Sequence, residues 1–479
     1  MNEVLWTVPA MVEALQARVV GTMPEAISGL SIDSRSIAND EAYFAIKGDV
    51  HDGHKFVAAA HAQGGAVSVV SEEWVERLGP DCGPLLVVDD VLLALERLGI
   101  AARARTQARV IAVTGSVGKT TTKEALRVAL APSGKVHAAV ASFNNHWGVP
   151  LTLARMPEDS KFAVIEIGMN HPGEITPLVK MARPHVAMVM NVAAVHLGAF
   201  RDVDEIAKAK AEIFLGLDAD GVAVVNGDDQ RLPLLKKYAE DAGVNRFVTF
   251  GSSDDADVRC EKLVLHGSCS CLTTTVMGQA MVVKVGAPGA HIAQNMLGVL
   301  AACNLVGADL ALAGLAMADI RAVKGRGERH TIGADDNKAI LIDESYNANP
   351  TSMRAALALL SATPVKDAGR RIAVLGDMLE LGPTSPELHA GLADSIVDHA
   401  INTVFLAGPD MKFLQESLAK RVDCVHTATI DELIPHVRRQ LRGGDAIMVK
   451  ASLGMKFARL VDELLITASS PAASSSGQN

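Results

Sequence analysis

Thr114-Gly115-Ser116-Val117-Gly118-Lys119-Thr120-Thr121 is the stretch on which the reading of this chain turns. The apolar run Val110–Val113 before it predicts a strand, and Thr121–Ala131 after it predicts a helix. Glycines between a strand and a helix let backbone N–H groups turn inward around phosphate oxygens, and the helix start adds partial positive charge. Lys119 supplies a full charge to the β- and γ-phosphates, and the Thr120 hydroxyl is placed to ligate Mg²⁺. The usual G-x-x-x-x-G-K-[ST] spacing would put its first glycine at Val113, so this is a variant in which Gly115 is the only earlier glycine. A glycine-rich turn with an exposed lysine is the plain alternative. The register of strand, loop and helix favours nucleotide binding by Gly115 to Thr121.

Outward from this loop, strands expected at Phe162–Ile167, Val186–Asn191 and Gly221–Asn226 alternate with helical stretches, as in a parallel sheet covered on both faces. A second such alternation follows, with strands at Ala339–Ile342, Arg371–Leu375, Thr403–Ala407 and Ala446–Val449. Before the loop lie shorter strands (Ala42–Ile46, Ala66–Val70) and an Ala-rich helix, Leu92 to Ala108, that ends in a basic stretch. A chain of 479 residues exceeds one ordinary core. The expectation is an α/β protein of three domains: a small α/β domain over 1–107, a central phosphate-loop domain with a parallel sheet over 108–328, and a doubly wound, Rossmann-like domain over 329–466. The Ser/Ala/Pro/Gly-rich tail 467–479 is expected to be disordered.

Composition narrows the partners. A net charge of −10 argues against a nucleic-acid partner. Six cysteines without paired CxxC clusters indicate neither a disulfide framework nor a zinc site. The chain opens without a basic start plus an apolar run, so no secretory signal is read. Met296 to Met317 is long enough to span a bilayer but holds Asn304, Asp309 and three glycines, and reads as a pair of buried helices. No membrane insertion, a cytoplasmic location and a monomer are the expectations.

With Ser142-Phe143-Asn144-Asn145-His146-Trp147-Gly148-Val149-Pro150, Glu166-Ile167-Gly168-Met169-Asn170 and Asp343-Glu344-Ser345-Tyr346-Asn347-Ala348-Asn349-Pro350, the chain resembles the Mur ligase family over nearly its whole length. That family's phosphate loop has the same short T-G-[ST]-x-G-K-T form. Within it, the resemblance points to the members that add D-alanyl-D-alanine to UDP-MurNAc-tripeptide. It implies an ATP-dependent carbon–nitrogen ligase of peptidoglycan synthesis working through an acyl phosphate, with ATP and Mg²⁺.

The resemblance also implies site residues. Glu166, at a strand's C-terminal end, would ligate Mg²⁺ with Thr120, and His196 would sit near a second metal. Lys210 would be converted by CO₂ to a carbamate that binds Mg²⁺, given the alignment on Lys210 rather than Lys208; two lysines in a helix with Glu205 and Glu212 otherwise read as a solvated face. Asn295, taken to open the Ala-rich helix, would lie near the adenine, its alternative being a helix cap. Arg326, between glycines, would grip the γ-phosphate, and Asp343, Tyr346 and Asn347 would cover ribose and phosphates. Ser34, Arg35, Lys47, Asn144 and Asn145 would contact the UDP-sugar substrate. The third domain would take the dipeptide, with Gly376 to Gly382, His389 and Ser452 as candidates. Where the family often has K-G-S-R, this chain reads Lys450-Ala451-Ser452-Leu453, without the arginine.

Rival readings remain at this point. A tripeptide-stage Mur enzyme or a folylpolyglutamate synthase-like ligase would share most motifs, although Asp343–Pro350 argues against them. A phosphate-loop kinase would share only the loop, and a G-protein would need an N-K-x-D motif that is absent.

Overall fold

The structure, a computed structural model, describes residues 3–48, 50–79, 82–333, 338–366 and 368–469. Three large sheets organise it, each with parallel strands at its centre, beside a two-stranded antiparallel sheet of Trp6–Thr7 and Ala26–Ile27. The first runs Arg18–Val20, Leu85–Val88, Val67–Ser71, Glu41–Phe44, Gly29–Ser31, parallel except for its first strand. The third runs Glu328–Ile332, Ala339–Glu344, Ala446–Lys450, Arg371–Gly376, Thr403–Ala407, Asp423–Thr427, with only the first strand antiparallel.

The central sheet has nine strands. The strand that feeds the phosphate loop, Arg109–Thr114, lies between Phe162–Glu166 and Val186–Val189, parallel to both. It is flanked by apolar side chains on both faces, Ile111 and Val113 in one core and Val110 and Ala112 in the other. That double burial is why these strands read as continuous apolar runs. One feature was not foreseen: Val258–Leu265, Ser270–Val276 and Gln279–Val285 extend the sheet as an antiparallel meander at one edge.

The Ala-rich segment forms two helices: Ala290–Leu305 is largely buried, whereas Leu310–Ala316 buries only Leu310, Ala313 and Gly314 and leaves Leu312 and Leu315 exposed. Among the described residues no helix is long and apolar enough to cross a membrane. The helix expected to end at Ala108 is Val91–Arg105. Its basic end is an interdomain clasp. Arg103 donates from Nε to Ala182 O at 2.8 Å and from a terminal nitrogen to Arg183 O at 2.9 Å, capping the helix Ile175–Ala182. Arg105 stacks 3.5 Å from the centre of the Trp6 ring. Arg155 of the central domain in turn donates from Nε to Leu30 O at 2.8 Å, tying the two domains together. At the far end, the helix Ala458–Ser469 runs into the stretch expected to be disordered from Thr467, because apolar Leu460, Val461 and Leu464 anchor it to the third sheet. The tail from 470 lies outside the described residues.

His137, in the middle of the edge strand Val136–Ala138, pairs through Nε2 with Thr152 O at 2.6 Å. Burial pushes its pKa down to about 4 from 6.5. The folded value lies below the unfolded one, so this contribution to stability is complete above pH 6.5 and lost as the pH falls towards 4. His185, lowered to about 4 by burial, adds a similar dependence, so urea unfolding at pH 7 and pH 5 should show a loss of which His137→Asn removes about 2 kcal/mol.

Candidate active site

The carboxyl ends of the central strands face the carboxyl ends of the third sheet across a cleft of about 530 Å³. Ser116 to Thr121, Asn144, Glu166, His196 and Asn295 line it from the central domain, and Arg326, Tyr346 and Asn347 line it from the other side.

Three features build the phosphate loop, two of them local and one supplied by a neighbouring strand end. Gly118 caps the helix Lys119–Leu130 with φ 84°, a left-handed conformation that suits glycine. Val117 N donates to Asn191 Oδ1 at 3.0 Å, and Ala193 N donates to Ser116 Oγ at 2.9 Å, so the neighbouring strand end holds the loop open. Lys119 folds back, donating from Nζ to Gly115 O at 2.7 Å. The helix begins two residues earlier than the Thr121 start read from the sequence, which puts Lys119 and Thr120 in its first turn. Asn295 neither opens nor caps its helix. The helix starts at Ala290, and the buried Asn295 side chain packs against the loop. A Cβ on Gly118 would stand 2.8 Å from Asn295 Nδ2. Gly118→Ala should therefore weaken ATP binding about tenfold or more, through strain plus that clash, as read by calorimetric titration.

Glu166 is only 1% exposed. Its Oε1 accepts from Asn144 Nδ2 at 2.7 Å and from Thr120 Oγ1 at 3.1 Å. Its Oε2 is buried without a hydrogen-bond partner. An orphaned, desolvated carboxylate oxygen is costly unless a cation completes it. Carboxylate and hydroxyl oxygens are the donors a hard divalent ion takes, so this pair fits Mg²⁺. No cluster of three His, Cys, Asp or Glu that could hold a metal ion is found among the described residues.

Lys210 lies behind this lining rather than in it. It is 2% exposed, whereas Lys208 two residues earlier is exposed. Burial, with the Lys119 charge nearby, pushes its pKa well below the ordinary ammonium value. The amine is therefore held towards its neutral, nucleophilic form. Burial also lowers the Lys119 pKa, with the Glu166 carboxylate opposing and Arg326 reinforcing that shift.

Several expected contacts are placed elsewhere. Asp343 is buried behind the cleft wall. Its carboxylate accepts from Gly325 N at 3.0 Å, Ser345 N at 3.0 Å and Ser345 Oγ at 2.6 Å, so it shapes the turns that carry Arg326 and Tyr346. The Arg326 guanidinium sits 4.2 Å from the Tyr346 ring centre. Asn145 Oδ1 accepts from Gly148 N at 3.0 Å and caps a turn, away from the lining. Ser34, Arg35 and Lys47 belong to the first domain and do not line this cleft. Arg35 is exposed and pairs with Asp33 at 2.7 Å, which holds the Asp33 carboxyl down at about 2. His389 does not face the site: it is fully buried and accepts from Met378 N at 2.9 Å. Ser452 Oγ likewise accepts a backbone bond, from Leu379 N at 2.9 Å.

Two further lysines support the cleft, Lys450 in its lining and Lys123 behind it. Lys450, 2% exposed, pairs with Glu344 at 3.1 Å and donates to Asn347 O at 2.9 Å. Lys123 is fully buried in the helix Lys119–Leu130. Its Nζ donates to Ala139 O at 2.6 Å and Ala141 O at 3.2 Å, and pairs with Glu124 at 2.9 Å. It thus fixes the segment that brings Ser142 Oγ within 3.2 Å of Thr120 Oγ1 and Asn144 onto Glu166. A lysine one turn into a helix looks solvated on the page; only the carbonyls of a distant loop make it a strut. Lys123→Met should cost about 2 kcal/mol in urea unfolding, since two carbonyls and a carboxylate lose their donor.

Three family models match the chain: "Mur ligase family, catalytic domain" over residues 26–99, "Mur ligase middle domain" over 113–303 and "Mur ligase, glutamate ligase domain" over 325–453. The UDP-N-acetylmuramoyl-tripeptide–D-alanyl-D-alanine ligase of Rickettsia prowazekii is 32% identical over 436 residues, covering 90% of this chain and 94% of that one. The enzyme of the same name from Escherichia coli is 35% identical, covering 80% and 81%. A crystal structure of MurF from Acinetobacter baumannii superposes with a TM-score of 0.82 at 29% identity, covering 96% of this chain and 99% of that one.

Proposed function

The chain belongs to the Mur ligase family, and on that premise we propose that it uses ATP to join D-alanyl-D-alanine to UDP-N-acetylmuramoyl-tripeptide. The product is the UDP-MurNAc-pentapeptide of peptidoglycan synthesis. The observation that carries the reading is the cleft itself. A phosphate loop and an orphaned carboxylate oxygen on one wall face Arg326, Tyr346 and Lys450 on the other. That arrangement suits a reaction in which a nucleotide bound by one domain must meet an amine bound by another.

The chemistry follows in two steps. The tripeptide's terminal carboxylate attacks the γ-phosphorus of ATP, forming an acyl phosphate and releasing ADP. The amine of D-alanyl-D-alanine then attacks the acyl carbon. A tetrahedral intermediate collapses to the amide, phosphate leaves and the amine loses its proton. Lys119 and Arg326 carry the positive charge that the transferring phosphoryl group needs. The backbone N–H groups of Gly118, Lys119 and Thr120, at the start of the helix, hold the β- and γ-phosphates in line. Mg²⁺, held by Thr120 and Glu166, would neutralise phosphate charge and orient the γ-phosphate. Meeting of the two domains excludes water that would otherwise hydrolyse the acyl phosphate.

Lys210 is assigned as a carbamate. Its neutral amine would add to CO₂ and lose one proton, giving a buried anion that, with His196, would help hold Mg²⁺. Asn295 is assigned to the adenine side, and Ser34, Arg35, Lys47 and Asn145 to the UDP-sugar side, whereas Asn144, expected among them, donates to Glu166 and is assigned with it to the phosphate side. The domains 1–107, 108–328 and 329–466 divide the three ligands among them. The enzyme is assigned as a cytoplasmic monomer.

Phosphate release is the test. With ATP, Mg²⁺ and UDP-MurNAc-tripeptide, release should require D-alanyl-D-alanine. Release with a single amino acid and a shorter UDP-peptide would move the chain to an earlier step, and release with no UDP-peptide at all would favour a kinase or ATPase.

A further inference from the structure

One contact across the cleft is used by none of the roles above. His196 follows the strand Val186–Val189, and Glu380 follows Arg371–Gly376 of the third sheet. Glu380 Oε2 lies 2.5 Å from His196 Nδ1. The backbones join as well. Gly198 N donates to Glu380 O at 3.2 Å, and a Cβ on Gly382 would stand 3.1 Å from Gly198 Cα. His196 and Glu380 both hold left-handed backbones, at φ 53° and 65°. Non-glycine residues keep that conformation only where the surroundings impose it.

The loop that presents Glu380 is braced from inside its own domain. Met378 N donates to His389 Nε2 at 2.9 Å, and His389 Nδ1 donates in turn to Ser385 O at 2.7 Å. Leu379 N donates to Ser452 Oγ at 2.9 Å. Glu380 therefore reaches the central domain from a fixed mount. As a bare ion pair it would add little: the Glu380 side chain is 61% exposed, and exposed pairs contribute under about 1 kcal/mol. Its consequence lies in the imidazole. A carboxylate accepting at Nδ1 keeps the proton there, which leaves the Nε2 lone pair free. Among the described residues Nε2 has no hydrogen-bond partner, and His196 lines the same cleft as Lys119, Thr120 and Glu166.

We propose that Glu380 is a positioning residue: when the C-terminal domain docks, it fixes the Nδ1–H tautomer of His196 and aims the Nε2 lone pair at the phosphate cleft. The central domain alone then holds an incomplete site, and the reacting centre is completed only with both domains in contact. The proposal rests on the ligase reading for what fills the cleft, not for the contact itself.

The test uses the full chain, ¹⁵N-labelled at histidine, with the His196 signals identified by their loss in His196→Gln. Wild type should show the Nδ1–H tautomer. Glu380→Ala should move His196 to the Nε2–H form that free imidazoles favour in water. It should also lower kcat about 10- to 100-fold, the usual effect of removing such an outer partner. KM for ATP and the melting temperature should stay nearly unchanged. Glu380→Gln keeps an acceptor oxygen and should retain the tautomer with a smaller loss of kcat. An unchanged tautomer in Glu380→Ala overturns the proposal, as does a kcat loss that tracks a fall in melting temperature equally in both variants. The tautomer is read without substrate. A wild-type Nδ1–H signal in a protein that ligates no UDP-peptide would overturn the ligase reading and leave the positioning of His196 standing.

Discussion

Glu166→Gln should lower kcat about 10³-fold, equivalent to about 4 kcal/mol of transition-state stabilisation. The substitution is isosteric, so Oε1 can still accept from Asn144 Nδ2 and Thr120 Oγ1. What changes is the orphaned position, where a neutral amide replaces a buried carboxylate oxygen. An amide binds a divalent cation weakly, and phosphate charge then goes uncompensated. Folding should not suffer, because removing an unpaired buried charge relieves desolvation. A variant with unchanged melting temperature and kcat lowered less than tenfold would remove Glu166 from the metal site.

The second large effect is expected at Lys210. Lys210→Met should reduce ligation by about 10²-fold or more while leaving the protein as stable as wild type or more so. The stability half follows from burial, since the amine is desolvated and has no carboxylate beside it among the described residues. The activity half rests on the carbamate proposed for Lys210. Two measurements separate it from a packing effect. Wild-type activity should fall in CO₂-depleted buffer and return with bicarbonate, and ¹³C-bicarbonate should give a carbamate carbonyl resonance that Lys210→Met lacks. Full activity without CO₂ would sink the carbamate.

How much was legible depends on what each residue needs around it. The phosphate loop was readable because its causes are local: glycine at Gly118 for a left-handed turn, an apolar strand before it and a helix after it. The parallel cores were readable for a similar reason. Strands such as Phe162–Glu166 are buried on both faces and so run apolar without alternation. The antiparallel meander was not, because Val258–Leu265 alternates only weakly and its pairing partners are set by the sheet edge.

Chain order and side-chain chemistry by themselves determined the nucleotide loop, the two doubly wound sheets and Glu166 at a strand end. These depend on neighbours within a few residues, where backbone geometry fixes direction. Only the tertiary structure decided which charges work and which merely solvate. Lys208 and Lys210 are alike on the page, and burial separates them. Lys123 becomes a strut because a loop sixteen residues on offers it carbonyls, and Glu380 meets His196 across 184 residues of chain. Desolvation and long-range pairing are properties of the packed interior, and no local pattern of residues encodes them.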